Sequence, residues 1–460
     1  MANSYLSKSA SSGNSTTFTI SAWIKRTVTG TATQIFNAHK ADSIAGHTNF
    51  GIDSNDRLDL STWSVNVLTT NRRLRDISAW YHVVVQVDST NSTADDRVKM
   101  WINGVQETNF STRNNPSSSQ AFSVNDAAST HTVGAGNQGS GRNQYFNGYI
   151  SHFVLVDGSV VAPTAFGEAD STTGQWKFKS PSGITFGTNG VHLKFENSAA
   201  LGADSSGQSN TYTANGNLKQ SNSTPTNTYC NVMTNSGGRV FGGNLSITNA
   251  GTTGTETANG WQMALCSQGV QKGKWYYEYK IQTLGNSNGY HKIGFASSIA
   301  HDDAGAGHLA DTVLDGGYAF YCQNGNLEVR TNAAVISGYS ISDLGVSFSL
   351  NDIMCLALDL DNGRAYFRKN GDAWIKSANP VTGTNGLDIT ADFPVGFENK
   401  FLMPGLAIYY GGVGSINFGT GFFGTDAIAS AGSNGNGSLF EFDVPTGYYA
   451  LNTKNINTYG

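Results

Sequence analysis

The sequence predicts an all-β protein built as two sandwiches, and three observations predict it. Apolar residues recur with period two: in TTFTISAWIKRT, Phe18, Ile20, Ala22 and Ile24 share one face and Thr19, Ser21, Trp23 and Lys25 the other. Asn-Gly pairs at Asn103-Gly104, Asn324-Gly325, Asn362-Gly363 and Asn370-Gly371 supply the positive φ angles of tight hairpins. Gly fills 55 of 460 positions and only 13% of residues are charged. Ser, Thr and Asn take up the balance, and they favour strands, turns and loops over helix.

The elements follow in order. After the first strand, AWYHVVVQVD is a β-branched run suited to a central strand, and RVKMWINGVQETNF reads as a hairpin turning at Asn103-Gly104. YFNGYISHFVLVDG is a further strand, followed by a short helical piece in APTAFGEA. Residues 1–170 form the first sandwich on this reading. From 171 to 238, short candidates such as QWKFK and GVHLKFEN lie among SNSTPTNT-type stretches, which reads as connector with some order. From 239 to 424 the strand grammar returns in GKWYYEYKIQTLG, YHKIGFASS, GYAFYCQNGNLEVR, DIMCLALDLDNGRAYFRKNG and GSINFG. Residues 425–460 read as an extended aromatic tail, whose Leu439, Phe440, Phe442, Tyr448 and Tyr449 call for burial against a partner.

Composition narrows the function. Lys and Arg number 28 against 33 acids, a net charge of −5, and a typical domain is roughly 25% charged. That argues against nucleic acid binding on a basic face. No stretch approaches the ~18 apolar residues of a spanning helix, so membrane insertion is not expected. MANSYLSKSASSGNSTT has no apolar h-region, so export by a signal peptide is not expected either. Cys230, Cys266, Cys322 and Cys355 are widely spaced and read as free, buried thiols in a protein made in the cytoplasm.

Two resemblances follow from the quoted residues. FTISAWIKRT, WYHVVVQVDSTNSTADDRVKMWINGVQE and FNGYISHFVLVDGSVVAPTAFGE resemble the laminin-G, concanavalin A-like jelly roll. GKWYYEYKI, HKIGFASS, DIMCLALDLDNGRAYFRKNG and SINFG resemble the SPRY domain, itself a concanavalin A-like sandwich. The fold expected is two such jelly rolls in tandem. That order, with the VPTGYYALNTKN ending, is similar to structural proteins of tailed phages. The resemblance implies a virion component of a tail fibre, tail tip or head appendage. Its partners would be other virion proteins and a host-surface glycan or receptor, and it would self-associate, with a trimer favoured. A capsid-decorating or connector scaffold without a ligand is the alternative, and a glycoside hydrolase of the same superfamily is a remote one.

Three constellations in the sequence bear on chemistry. Hydrolysis of a glycoside needs two facing carboxylates. Glu441-Phe-Asp443 comes nearest, but the next same-face position is Pro445, and Glu278 stands alone among aromatics, so no enzyme is expected. For metal, calcium would suit Asp88, Asp95 and Asp96 around one hairpin loop. HDDAGAGHLAD gathers His301, Asp302, Asp303, His308 and Asp311, a mixed set closer to a transition-metal site. In both cases solvated loops are the plainer reading. For ligand stacking, Trp63, Trp101, Tyr145, Tyr290 and Trp374 lie near loops or hairpin ends, whereas Trp23 and Trp80 belong to core strands. Arg72, Arg73 and Arg75 read as a pairing surface.

Overall fold

The structure is a computed structural model that describes residues 3–138, 141–233, 240–241, 244–258, 260–285, 289–297, 317–323, 326–331, 334–390 and 401–460. All counts below refer to these residues. The chain divides into two compact units, Met1–Gln220 and Ser221–Gly460. Both are β-sandwiches whose strand pairs are antiparallel apart from one short parallel contact in the second.

In the first unit an eight-stranded sheet runs, edge to edge, through Phe110–Arg113, Asn66–Arg73, Arg57–Thr62, His47–Ile52, Thr33–His39, Thr130–Val133, Tyr5–Ser9 and Thr213–Asn215. The facing six-stranded sheet orders Val191–Leu193, Gly148–Asp157, Thr17–Arg26, Tyr81–Asp88, Val98–Ile102 and Val105–Gln106. Period-two alternation places Phe18, Ile20, Ala22, Ile24, Val83, Val85 and Val87 inward from one sheet, and Phe36, Phe50, Leu58, Leu60 and Leu68 from the other. Asn103 and Gly104 both take positive φ, 51° and 76°, as a type I′ turn requires.

The six-stranded sheet is covered on its outward face too. Val84, Trp101, Val154 and Val156 pack against Phe166, Val161, Ile184 and Phe186 of the segment that follows the last long strand. The helical piece expected in APTAFGEA is a single 3-10 turn, Pro163–Ala165. A hairpin of Gly167–Ala169 and Trp176–Phe178 then lays Trp176 over His82, where the indole Nε1–H donates to His82 Nδ1 at 3.0 Å. Gly104 lies beneath that ring: a Cβ there would meet Trp176 at 2.4 Å. Much of the stretch read as connector is therefore part of this unit. Val191–Leu193 extends the six-stranded sheet, and Thr213–Asn215 pairs with Tyr5–Ser9.

The second unit pairs a seven-stranded sheet, which includes Gln262–Leu265, Leu402–Tyr409, Tyr290–Ser297 and Gly317–Gln323, with a sheet whose interior strands are Thr253–Glu256, Val413–Asn417, Lys274–Thr283, Ile353–Asp359 and Arg364–Lys369. Trp275, Tyr277, Tyr279, Ile293, Phe295, Phe320, Leu356 and Phe367 fill the space between them. The four cysteines are buried and form no disulfide.

The aromatic tail is not left waiting for a partner. Phe440, Val444 and Tyr448 are buried against Tyr276, Cys355 and Tyr366 on the outward face of this unit's own sheet. Tyr449–Ala450 adds a short parallel strand beside Trp275 and Tyr276, and helix Thr453–Tyr459 closes the chain, capped by Asn452. Phe442 is half-buried in the same cluster, Tyr449 packs against the main core, and Leu439 stays 39% exposed. The apolar burial these side chains need is supplied mostly within the second unit, because an outward sheet face rich in aromatics lies next to them.

Candidate functional site

The outward face of the eight-stranded sheet is polar, and the sequence makes it so by alternation. In TQIFNAH, HTNFGI and RLDLST the core takes Phe36, Ala38, Phe50, Ile52, Leu58 and Leu60. The intervening positions send Asn37, Asn49, Asp59 and Ser61 the other way, and a bulge between Gln34 and Phe36, with Ile35 also in the core, puts Gln34 on the same outward face. Register then aligns them: Asn37 lies opposite Asn49, Asn49 opposite Ser61, and Asp59 opposite Thr69. A cleft of about 300 Å³ opens over this face, and Gln34, Asn49, Asp59, Ser61, Trp63 and Gln144 are among its walls.

Hydrogen bonding within the face is incomplete. Asn37 Nδ2 donates to the Thr48 carbonyl at 3.3 Å and to Asn49 Oδ1 at 2.9 Å, which fixes both amides. His47 Nε2 lies 3.1 Å from that same Oδ1 and must carry the proton, so His47 Nδ1 is a bare lone pair. Gln34 Nε2 donates to Gln144 Oε1 at 2.8 Å. Three buried acceptors, Gln34 Oε1, Asn37 Oδ1 and His47 Nδ1, are left with no hydrogen-bond partner. Buried polar atoms are ordinarily satisfied, so such orphans call for an explanation. Burial also holds the His47 imidazole below its ordinary pKa.

Asp59 accepts a 2.5 Å hydrogen bond from Thr69 Oγ1, and burial raises its carboxyl above the usual range. Asp53, also on the cleft wall, is occupied: it accepts from the Asn55 and Arg57 amides at 2.9 and 2.8 Å and pairs with the Arg57 guanidinium. Trp63 stands at the rim, 41% exposed, its ring 5.5 Å from that of His47.

Of the five aromatics singled out from sequence, Trp63 is the one that lines this cleft. Trp101 is only 9% exposed and is covered by the segment that crosses the six-stranded sheet. Its place beside a hairpin turn suggested exposure, but the covering segment removes it. Tyr145 is half-buried with its ring 6.3 Å from that of Tyr5, adjacent in sequence to Gln144 but not on the cleft wall. Tyr290 belongs to the second unit, in a cluster with Trp261, Tyr321 and Tyr409. Trp374 packs edge-on to Tyr366 and under the Arg368 guanidinium, 4.7 Å away.

The candidate calcium loop does not assemble. Asp88 accepts from the amide and hydroxyl of Thr90, Asp95 accepts from Asn115 and lies 3.7 Å from Arg113, and Asp96 pairs with Lys99 at 2.9 Å. A short 3-10 turn, Ala94–Asp96, gives neighbouring acids to different cations. No group of three His, Cys, Asp or Glu side chains able to hold a metal is present among the described residues. His301, Asp302, Asp303, His308 and Asp311 lie outside the described residues.

The acids weighed for hydrolysis have local duties. Glu441 Oε2 accepts from the Ala429 amide at 2.8 Å and Asp443 Oδ1 from the Ser433 amide at 2.6 Å. Glu278 is fully buried and accepts from the amides of Glu441 and Phe442, both at 2.9 Å, from Tyr276 Oη at 3.0 Å and from Asn417 Nδ2 at 3.4 Å. Burial pushes its carboxyl up to about 7 against those four donors. Arg72, Arg73 and Arg75 do act as a pairing surface, with Glu107, the Asn55 carbonyl and Asp56 as partners.

Residues 1–164, which include every wall of the cleft, match the family described as the concanavalin A-like lectin/glucanases superfamily. The fold of this region is concanavalin A-like. Among solved structures, the chain is similar to the SPRY domain of human HERC1, at 18% identity over 37% of this chain and 91% of that one, with a TM-score of 0.27. It is similar to a heptameric SAP-like pentraxin from Limulus polyphemus, at 17% identity over 34% and 71%, TM-score 0.27. A candidate carbohydrate-binding protein from Bacteroides ovatus is similar at 15% identity over 47% and 56%, TM-score 0.34. No curated protein matches the chain.

Gln34, Asn49, Asp59, Ser61 and Gln144 escaped the sequence reading, which searched loops for rings and acids. Their signal is an amide or an acid between apolar residues in each of three consecutive strands, obscured in the first by a bulge between Gln34 and Phe36.

Proposed function

We propose that the chain is a glycan-binding protein without catalytic activity, and that it takes its ligand in the outward cleft of the first unit. The observation that carries this is Gln34, only 7% exposed on the cleft wall with its Oε1 unpartnered, opposite an exposed Trp63. A sugar answers both, since hydroxyls donate to buried acceptors while the pyranose face packs on an indole. The family matched by residues 1–164 is named for lectins and glucanases, which supports the same reading. Against hydrolysis, Asp53 is spent on its own loop and on Arg57, so Asp59 has no second free carboxylate on the wall.

The finer form of the proposal is a phage virion component that contacts a host-surface glycan and self-associates, favoured as a trimer. Its support is the tandem order and the VPTGYYALNTKN ending. A scaffold without a ligand is the competing form, and the orphaned acceptors favour the ligand. A glycan array probed with the chain and with Trp63→Ala tests the core reading. Selective binding lost in the variant, without release of reducing ends, is expected. Binding indifferent to Trp63, or release of reducing ends, would overturn it. Mass spectrometry of purified virions tests the finer form, which their lacking this chain would end.

A further inference from the structure

Resting on the glycan-binding reading, we infer that the cleft selects neutral, hydroxyl-rich glycans and turns away those bearing carboxylates or sulfates. Its twelve wall residues include two acids, Asp53 and Asp59, and no Lys, Arg or His. The unanswered groups all point to the same preference. Gln34 Oε1, the orphaned acceptor on the wall itself, needs a donated hydrogen, and Asn37 Oδ1 and His47 Nδ1 on the same sheet face are acceptors too. A neutral sugar carries a hydroxyl on most ring carbons and can donate at several positions. A uronate or sulfate replaces a donor with an acceptor-only group and brings negative charge beside Asp59.

Asp59 is the discriminating residue. Its carboxylate accepts from Thr69 and Ser61, its neighbours across the sheet are Gly51 and Thr69, and the charges that act on it are those of Asp53 and Arg57, which oppose each other. Arg57 is the nearest guanidinium in sequence, and it is engaged by Asp53. An anion entering the cleft therefore meets a carboxylate with no compensating charge on the wall, and like charges a few ångströms apart repel strongly where water is partly excluded.

The test is calorimetric titration of the full chain with two probes of equal length, a neutral gluco-oligosaccharide and an oligogalacturonate, at low and high salt. The neutral probe is expected to bind at least about tenfold more tightly at low salt, and the gap should narrow as salt screens the repulsion. Asp59→Asn should narrow it at low salt. Trp63-dependent binding of the galacturonate as tight as, or tighter than, the neutral probe would overturn this inference and leave glycan binding standing. So would a gap unmoved by salt. Absence of Trp63-dependent binding to either probe would overturn the glycan reading itself. Because the salt series uses the unmodified chain, the outcome does not depend on Asp59→Asn folding.

Discussion

His82 in the first unit and Glu278 in the second occupy matching places. Each sits on an interior strand, points away from the sandwich core, and is buried by a later segment of its own chain. Each is also answered. His82 accepts from Trp176 and lies 2.8 Å from Ser21 Oγ, while Glu278 gathers two tail amides, a tyrosine hydroxyl and an asparagine. Gln34, Asn37 and His47 lie on the opposite outward face of the first unit, are buried too, and keep acceptors that nothing among the described residues satisfies. Buried polar residues on a sheet face thus come in two kinds. Those the chain satisfies here act as clasps for covering segments, and Gln34, left open on the wall of a cleft, is placed to meet an outside molecule.

The comparison breaks most readily at the stronger clasp. Glu278→Ala strands the amides of Glu441 and Phe442 and should cost the second unit about 3–5 kcal/mol, since breaking a buried network leaves its other members unpaired. Urea denaturation with limited proteolysis of the tail would show it, and a loss under about 1 kcal/mol would mean that apolar packing alone holds the tail.

The two clasps also titrate with opposite sign. Glu278 has its carboxyl raised from 4.5 to about 7, so its contribution is full below pH 4.5 and is lost as pH rises through 7. His82 is lowered from 6.5 to about 3, so its contribution is full above pH 6.5 and is lost as pH falls toward 3. The shifts correspond to about 3 kcal/mol for Glu278 and about 5 kcal/mol for His82 over their windows. His291, lowered to about 4 by burial, opposes Glu278 within the second unit. The stability of that unit in Glu278→Gln should therefore climb more steeply with pH than in the unmodified chain. Parallel pH profiles would contradict the assignment.

A smaller effect sharpens the first clasp. Gly104→Ala places a Cβ 2.4 Å from the Trp176 ring at φ +76°, and should cost about 2 kcal/mol with a changed near-ultraviolet tryptophan signal. An unchanged signal would mean that the indole does not rest there. The smallest effect belongs to the open face. Trp63→Ala should change stability by no more than about 0.5 kcal/mol, as exposed positions do, while weakening glycan binding at least about tenfold. A variant that lost stability instead would place Trp63 among the structural aromatics.

Much of the fold was legible because alternation is a local property. Phe18 to Ile24 and the Asn103-Gly104 turn could be read off a dozen residues. The covering segments were not, since what lies over an outward face is decided far along the chain. A clue was present: Val83, Val84 and Val85 run without alternation, as expected of a strand buried on both faces. Trp101 was misjudged for the same reason. The cleft was half legible. Trp63 stood out as a ring in a loop, but Gln34, Asn49 and Asp59 acquire meaning only when register sets their strands side by side.

The most direct test is a crystal structure of the chain grown with a neutral gluco-oligosaccharide. A sugar ring against Trp63, with a hydroxyl about 3 Å from Gln34 Oε1, is the predicted result. The account would be contradicted by ordered waters satisfying Gln34 and Asn37 while the sugar binds elsewhere or not at all.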